Sequence, residues 1–166
     1  MKNLAALLML LAGAAWAAEK LTNEQLEALF FYDLGPATID VSKYPKEQQD
    51  HYAVFAKTCS QCHTLARPIN APYASSKDWQ RYILRMHQRT ESRPGKVITK
   101  EDSKVIVDFL VYDANLRKVK QKKAFDFQTA KLKALFEDVK AERARRQVKA
   151  DASKIQQPAP YTGTKP

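Results

Sequence analysis

Only two cysteines occur in the 166 residues, and both stand in the run Thr58-Cys59-Ser60-Gln61-Cys62-His63. No other feature limits the fold as much. Within roughly one helical turn, thiols three residues apart can each reach one vinyl group on the same edge of a haem. The residue that follows then lies over the iron, where an imidazole supplies a suitable nitrogen ligand. C-x-x-C-H is the attachment pattern of c-type haem. The expectation is therefore one covalent haem c, bound through Cys59 and Cys62, with His63 as an axial ligand.

Three other uses of such a motif fit less well. A thioredoxin-like redox pair follows a strand in a βαβ context, whereas the residues before Cys59 read as a helix. A structural zinc site needs four ligands, and the remaining histidines, His51 and His87, are not at finger-like spacing. A plain disulfide leaves the adjacent His63 unexplained.

Helical periodicity surrounds the motif. Pro45 suits a helix start, and the pattern is helical over 45–58, with Tyr52, Phe55 and, one turn on, Cys59 on a shared face. Pro68 and Pro72 mark 66–73 as a loop. Ser75 or Ser76 then caps a helix over 77–89, on which Trp79, Ile83 and Met86 form one stripe with Tyr82 beside it. Arg93-Pro94-Gly95 breaks the chain before Thr99 and Asp102 open a third helix over 100–114, with Val105, Ile106, Phe109, Leu110 and Tyr112 on a broad apolar face. Strand signals are weak. The expected fold is all-α, a helical domain at 46–114 whose roughly 70 residues bury too little apolar surface unaided, so that the haem completes the core.

The flanks read differently. A charged Lys2, an apolar stretch over 4–13 and Ala15-Trp16-Ala17 make residues 1–17 a secretory signal peptide, too short to span a bilayer, with no cysteine at the cleavage site for a lipid anchor. Residues 18–45 form an N-terminal helix and linker: Thr22 to Gln25 is a capping box, with Leu26, Leu29 and Phe30 on one face expected to pack on the core. Residues 115–150 form a basic helical extension, with Leu132, Leu135, Phe136 and Val139 as a stripe. Residues 151–166 read as a disordered tail.

Charge is segregated along the chain. Residues 18–45 hold two basic and five acidic residues, 46–114 hold eleven and eight, and 115–150 hold twelve and four, so the net charges are −3, +3 and +8. A single-signed segment steers acidic partners or anionic surfaces. The extension, without His, Met or Cys, is expected to serve partner docking and to be separable from the haem domain after Ala114.

Met1 and Met9 leave with the leader, so Met86 is the one methionine of the mature chain, and its place on the stripe makes it the expected sixth ligand. His87 lies about 100° further round the helix and is the alternative, which would make the haem bis-histidine. His51 and an open sixth position complete the set.

The combination of Tyr52-Ala53-Val54-Phe55, the attachment motif, a proline-rich loop and a final helix ending Val107-Asp108-Phe109-Leu110 resembles a small class I c-type cytochrome. More narrowly, Ile39-Asp40-Val41-Ser42, Cys62-His63-Thr64-Leu65-Ala66-Arg67-Pro68, Trp79 with Arg85-Met86, and Phe109-Leu110-Val111-Tyr112-Asp113 are similar to periplasmic monohaem cytochromes of environmental bacteria. Two positions depart from the pattern. His51 stands where many class I members place a glycine at the crossing of first and last helices, and only 23 residues separate His63 from Met86. The resemblance implies a periplasmic electron carrier rather than an enzyme. Its partners would be redox proteins, acidic or membrane-associated, with no nucleic acid. Two alternatives stay open: a subunit docked in a larger redox complex, and a sensor or peroxidase-like protein with an open sixth site.

Overall fold

Every regular element among the described residues is helical, and the helices that follow Thr22, Pro45, Ser75 and Thr99 start where a local signal puts them. The computed structural model describes residues 20–155 apart from Ser92, Pro94, Lys96 and Val97. The expected signal peptide, 1–17, and the part of the expected tail beyond 155 lie outside the described residues. Helix α1 (Asn23–Glu27) opens with the Thr22 and Gln25 capping box, α2 (Lys46–Cys59) follows Pro45, and α3 is Ala66–Asn70. Helix α4 (Ser76–Thr90) is capped by the Ser75 hydroxyl, which accepts from the Asp78 N–H. Helix α5 (Lys100–Ala114) is capped in the same way by Thr99 and Asp102. Between α4 and α5 the chain turns at Gly95, whose φ of 76° disfavours any residue with a side chain. A π-helical stretch (Asn115–Lys120) joins α5 to the long α6 (Lys122–Ile155). None of these helices is long and apolar enough to cross a membrane.

The core lies where α2, α4 and α5 meet. Phe55 of α2 stacks on Phe109 of α5 at 5.2 Å between ring centres, and Tyr52 leans on the same ring at 5.3 Å. Trp79 and Ile83 of α4 and Ile106 and Leu110 of α5 are buried with them. His51, at the helix crossing, does not hold α2 and α5 apart. Its Nδ1 lies 3.0 Å from Asp108 Oδ2, which also accepts from Gln48 Nε2 at 2.7 Å, so the bulk is used as a polar bridge.

The structure corrects four expectations. Residues 66–73 are not all loop, because Ala66–Asn70 is a short helix. Pro68 falls in its first turn, where the missing N–H has no intrahelical role, and Pro72 comes after its end. Helix α1 stops at Glu27, which leaves Leu29 and Phe30 exposed rather than on a shared helix face. It packs against α6, not the core: Arg143 donates from Nε to the Leu26 carbonyl at 2.6 Å and from Nη2 to the Ala28 carbonyl. Finally, α6 continues through Ile155, so residues 151–155, assigned to the tail, extend its last turns.

The fourth correction concerns the basic extension, which is not separable at Ala114. Arg117 pairs with the buried Asp113 and donates to the Ile69 carbonyl at 2.9 Å. Gln128 of α6 donates to Asn70 Oδ1 at 3.1 Å, and Asn70 in turn donates to the carbonyls of Ala66 and Pro36. Gly35 abuts this amide so closely that a Cβ there would lie 2.4 Å from it. Val139 is fully buried and Leu132, Leu135 and Phe136 partly so. The stripe expected on α6 therefore faces inward.

Lys118, one of the lysines of the basic extension, is buried: its Nζ donates to the Ala71 carbonyl at 2.7 Å and sits 4.8 Å from the centre of the Trp79 ring. Burial first, then the neighbouring Arg117, push its ammonium down to about 7 from 10.5. Between those values the unfolded chain binds more protons than the folded one, so this group makes stability rise with pH, by up to about 1.4 kcal/mol per unit. Lys118→Met is expected to flatten that rise. Urea unfolding at pH values across the window checks it, and an equally steep rise in the variant would show that another group is responsible.

Candidate functional site

Cys59 is the last residue of α2, and the chain turns through Ser60 to bring Cys62 and His63 round behind it. The His63 ring is oriented by its own neighbour. Nδ1 lies 2.8 Å from the Thr64 carbonyl oxygen, which can only accept, so the proton sits on Nδ1. Nε2 of the neutral ring is then left with a lone pair, the arrangement found in metal-ligating imidazoles.

These three residues line a cavity of about 470 Å³, inside the ~300–1,000 Å³ range of cofactor sites. Helix α3 adds Arg67 to its wall; α4 adds Tyr82, Ile83, Met86, Arg89 and Thr90; and Ile98 closes it just before α5. The amphipathic stripe of α4 is what carries Met86 there. Tyr82 and Ile83 are buried on the same side, and Met86 falls one turn beyond Ile83.

The two histidines considered as alternatives are engaged outside this cavity. His87 lines the opposite groove between α4 and α5, with Nδ1 2.8 Å from the Ile98 carbonyl oxygen and Nε2 3.3 Å from Glu91. His51 faces Asp108. The one-residue step from Met86 to His87 is thus the difference between two faces of α4.

Two observations bear on what the cavity can hold. Tyr82, in its wall, has a buried hydroxyl without a hydrogen-bond partner among the described residues, a state that costs about 1–3 kcal/mol unless an occupant satisfies it. Arg67, Arg89 and Arg93 also line it, so anionic groups on an otherwise apolar occupant would meet cations. A porphyrin with its two carboxylates fits this donor set. Cys59 does not fit a thiolate nucleophile. Burial, then Cys62, push its thiol up to about 12, the reverse of the lowered values that activate redox cysteines. The two sulfurs are not joined to one another, and no cluster of three or more His, Cys, Asp or Glu among the described residues could bind a metal ion.

Comparison with known proteins adds no relative. No family model, no curated protein and no solved structure matches the chain.

The motif, His63 and Met86 were candidates on sequence alone; the arginines of the wall were not. Arg67 carried one signal, its place four residues after His63, but a single charged residue beside a proline is no pattern. Asp33, which holds Arg67 in a two-pronged ion pair, is 34 residues away and had none.

Proposed function

We propose that the chain is an exported, periplasmic electron carrier of the class I cytochrome c type, with one haem c attached through Cys59 and Cys62 and ligated by His63 and Met86. The observation that carries this reading is the single cavity lined by all four of these residues, from which His51 and His87 are turned away. Bound haem would supply a reversible one-electron couple, and Met/His ligation raises its potential.

The chain's own residues do the rest. Cys59 and Cys62 anchor the group, and the Thr64 carbonyl keeps the His63 lone pair on Nε2. Ile83 and Ile98 exclude water, while Arg89 and Arg93 meet negative charge. Electrons pass to and from redox proteins, acidic or membrane-associated, drawn by the basic surface. No substrate is bound or transformed, and no nucleic acid is involved.

Covalent attachment is the part most directly tested. Protein from an export-competent host with haem-attachment machinery is expected to keep its haem through denaturation and acid-acetone extraction, and Cys59→Ser or Cys62→Ser to weaken retention. Haem that partitions into the acetone, as from a b-type protein, or a wild-type chain that matures without any, would defeat the reading.

A further inference from the structure

We infer that Asp33 and Arg67 form a positioning pair that tunes the reduction potential at His63, an inference that rests on the electron-carrier reading above. Arg67, in α3, stands four residues after His63, and the two residues share two walls. Both line the haem cavity, and both line a second cleft of about 440 Å³ whose other residues include Glu24 and Glu27. They therefore stand as the partition between the cavity and an acidic surface cleft.

The cation in that partition is fixed. Asp33 Oδ1 accepts from Arg67 Nε at 2.7 Å and Oδ2 from Nη2 at 2.8 Å, while the Leu29 and Phe30 N–H groups donate to Oδ2 at 2.9 and 3.0 Å. The guanidinium also lies 5.3 Å from the centre of the Phe30 ring. A bidentate fork of this kind sets orientation as well as energy. Asp33 is only 9 % exposed and Arg67 23 %, so water screens the pair poorly and its charges act further than they would at an open surface. Burial opposes ionisation of Asp33, yet the hydrogen bonds and charge of Arg67 hold its carboxyl below the ordinary value.

A positive charge beside the ligand favours the reduced, more electron-rich state, and the neighbouring carboxylate offsets it. The pair thus gives signed consequences. Asp33→Asn leaves the cation uncompensated and raises the midpoint potential. Arg67→Gln leaves the anion and lowers it. The double variant, neutral at both positions, returns close to wild type, and Arg67→Lys, which keeps the charge while losing the fork, stays closer to wild type than Arg67→Gln does.

Spectroelectrochemical titration of the full-length haem-loaded protein reads all four shifts, with the optical spectrum recorded first to show that ligation is unchanged. Opposite shifts for the two single variants that cancel in the double variant support the inference. Unmoved potentials overturn it, as do shifts of the same sign, because a merely structural tie between the N-terminal segment and α3 would lower the melting temperature of both variants without opposing electrostatics. A wild-type chain lacking covalent haem would instead overturn the electron-carrier reading and this inference together.

Discussion

Met86→Ala is expected to abolish the weak red charge-transfer band of a methionine–ferric bond and to lower the midpoint potential, while His87→Ala leaves both close to wild type. The asymmetry follows from where the two side chains sit. Met86 lines the cavity with Cys59, Cys62 and His63, whereas His87 is spent on the Ile98 carbonyl and Glu91 in the groove beyond α4. Loss of a thioether ligand removes the preference for ferrous iron that raises the potential of His/Met centres. Met86 is only partly buried, so its truncation costs less packing than loss of a fully buried side chain, and the spectrum should change well before the fold does. Ile98 also lines the cavity, and His87→Ala removes a hydrogen bond from its carbonyl; the expected consequence is a loss of about 1 kcal/mol in stability without a change of ligand. Absorption and magnetic resonance spectra of the three proteins decide the matter. A wild type without the red band at neutral pH, or a His87→Ala iron that turns high-spin, would reassign the haem as bis-histidine.

Truncation after Ala114 is expected to collapse the folded state, and truncation after Arg143 to leave it standing. The shorter chain keeps Asp113, 1 % exposed, and removes Arg117, its ion-pair partner, leaving only the Tyr44 hydroxyl at 3.0 Å. Breaking a buried pair on one side costs about 3–5 kcal/mol. The same cut takes the donors from the Ile69 and Ala71 carbonyls and from Asn70 Oδ1, against a total stability of about 5–15 kcal/mol for a small domain. Truncation after Arg143 keeps all of these and the hydrogen bonds to Leu26 and Ala28. It removes five basic residues against one acidic, which isolates the charge of the distal arm from its structural role. Melting curves followed by circular dichroism separate the two chains, and cooperative unfolding of the shorter one at the full-length temperature would show that the extension is an appendage. The chain ending at Arg143 is also expected to transfer electrons more slowly to an acidic partner at low salt, where screening is weak.

The local features of this chain were legible because they depend on neighbours in sequence. Thr22, Ser75 and Thr99 each have a hydroxyl that reaches an N–H three residues on, and the stripe of Trp79, Ile83 and Met86 needs only the helical period to share a side. The two cysteines and His63 fall within five consecutive positions, so their meeting at one cavity needs little beyond the spacing. Separation of Met86 from His87 is of the same kind, an angle of about 100° set by helix geometry.

What the tertiary structure alone decided involves partners far apart in the chain. Asp33 meets Arg67, Gly35 meets Asn70, Gln128 meets Asn70, and Arg143 meets Leu26. None of these pairs leaves a period, and each depends on how α3, α6 and the N-terminal segment come together. Lys118 is the sharpest case. Composition places it among solvated lysines, because a cation is normally cheapest in water, yet the π-helical stretch turns it to two inward carbonyls on either side of Pro72 and over the Trp79 ring. The +8 segment could be counted from the sequence, but which of its charges hold the fold and which stay at the surface is set by long-range hydrogen bonds that no local pattern encodes.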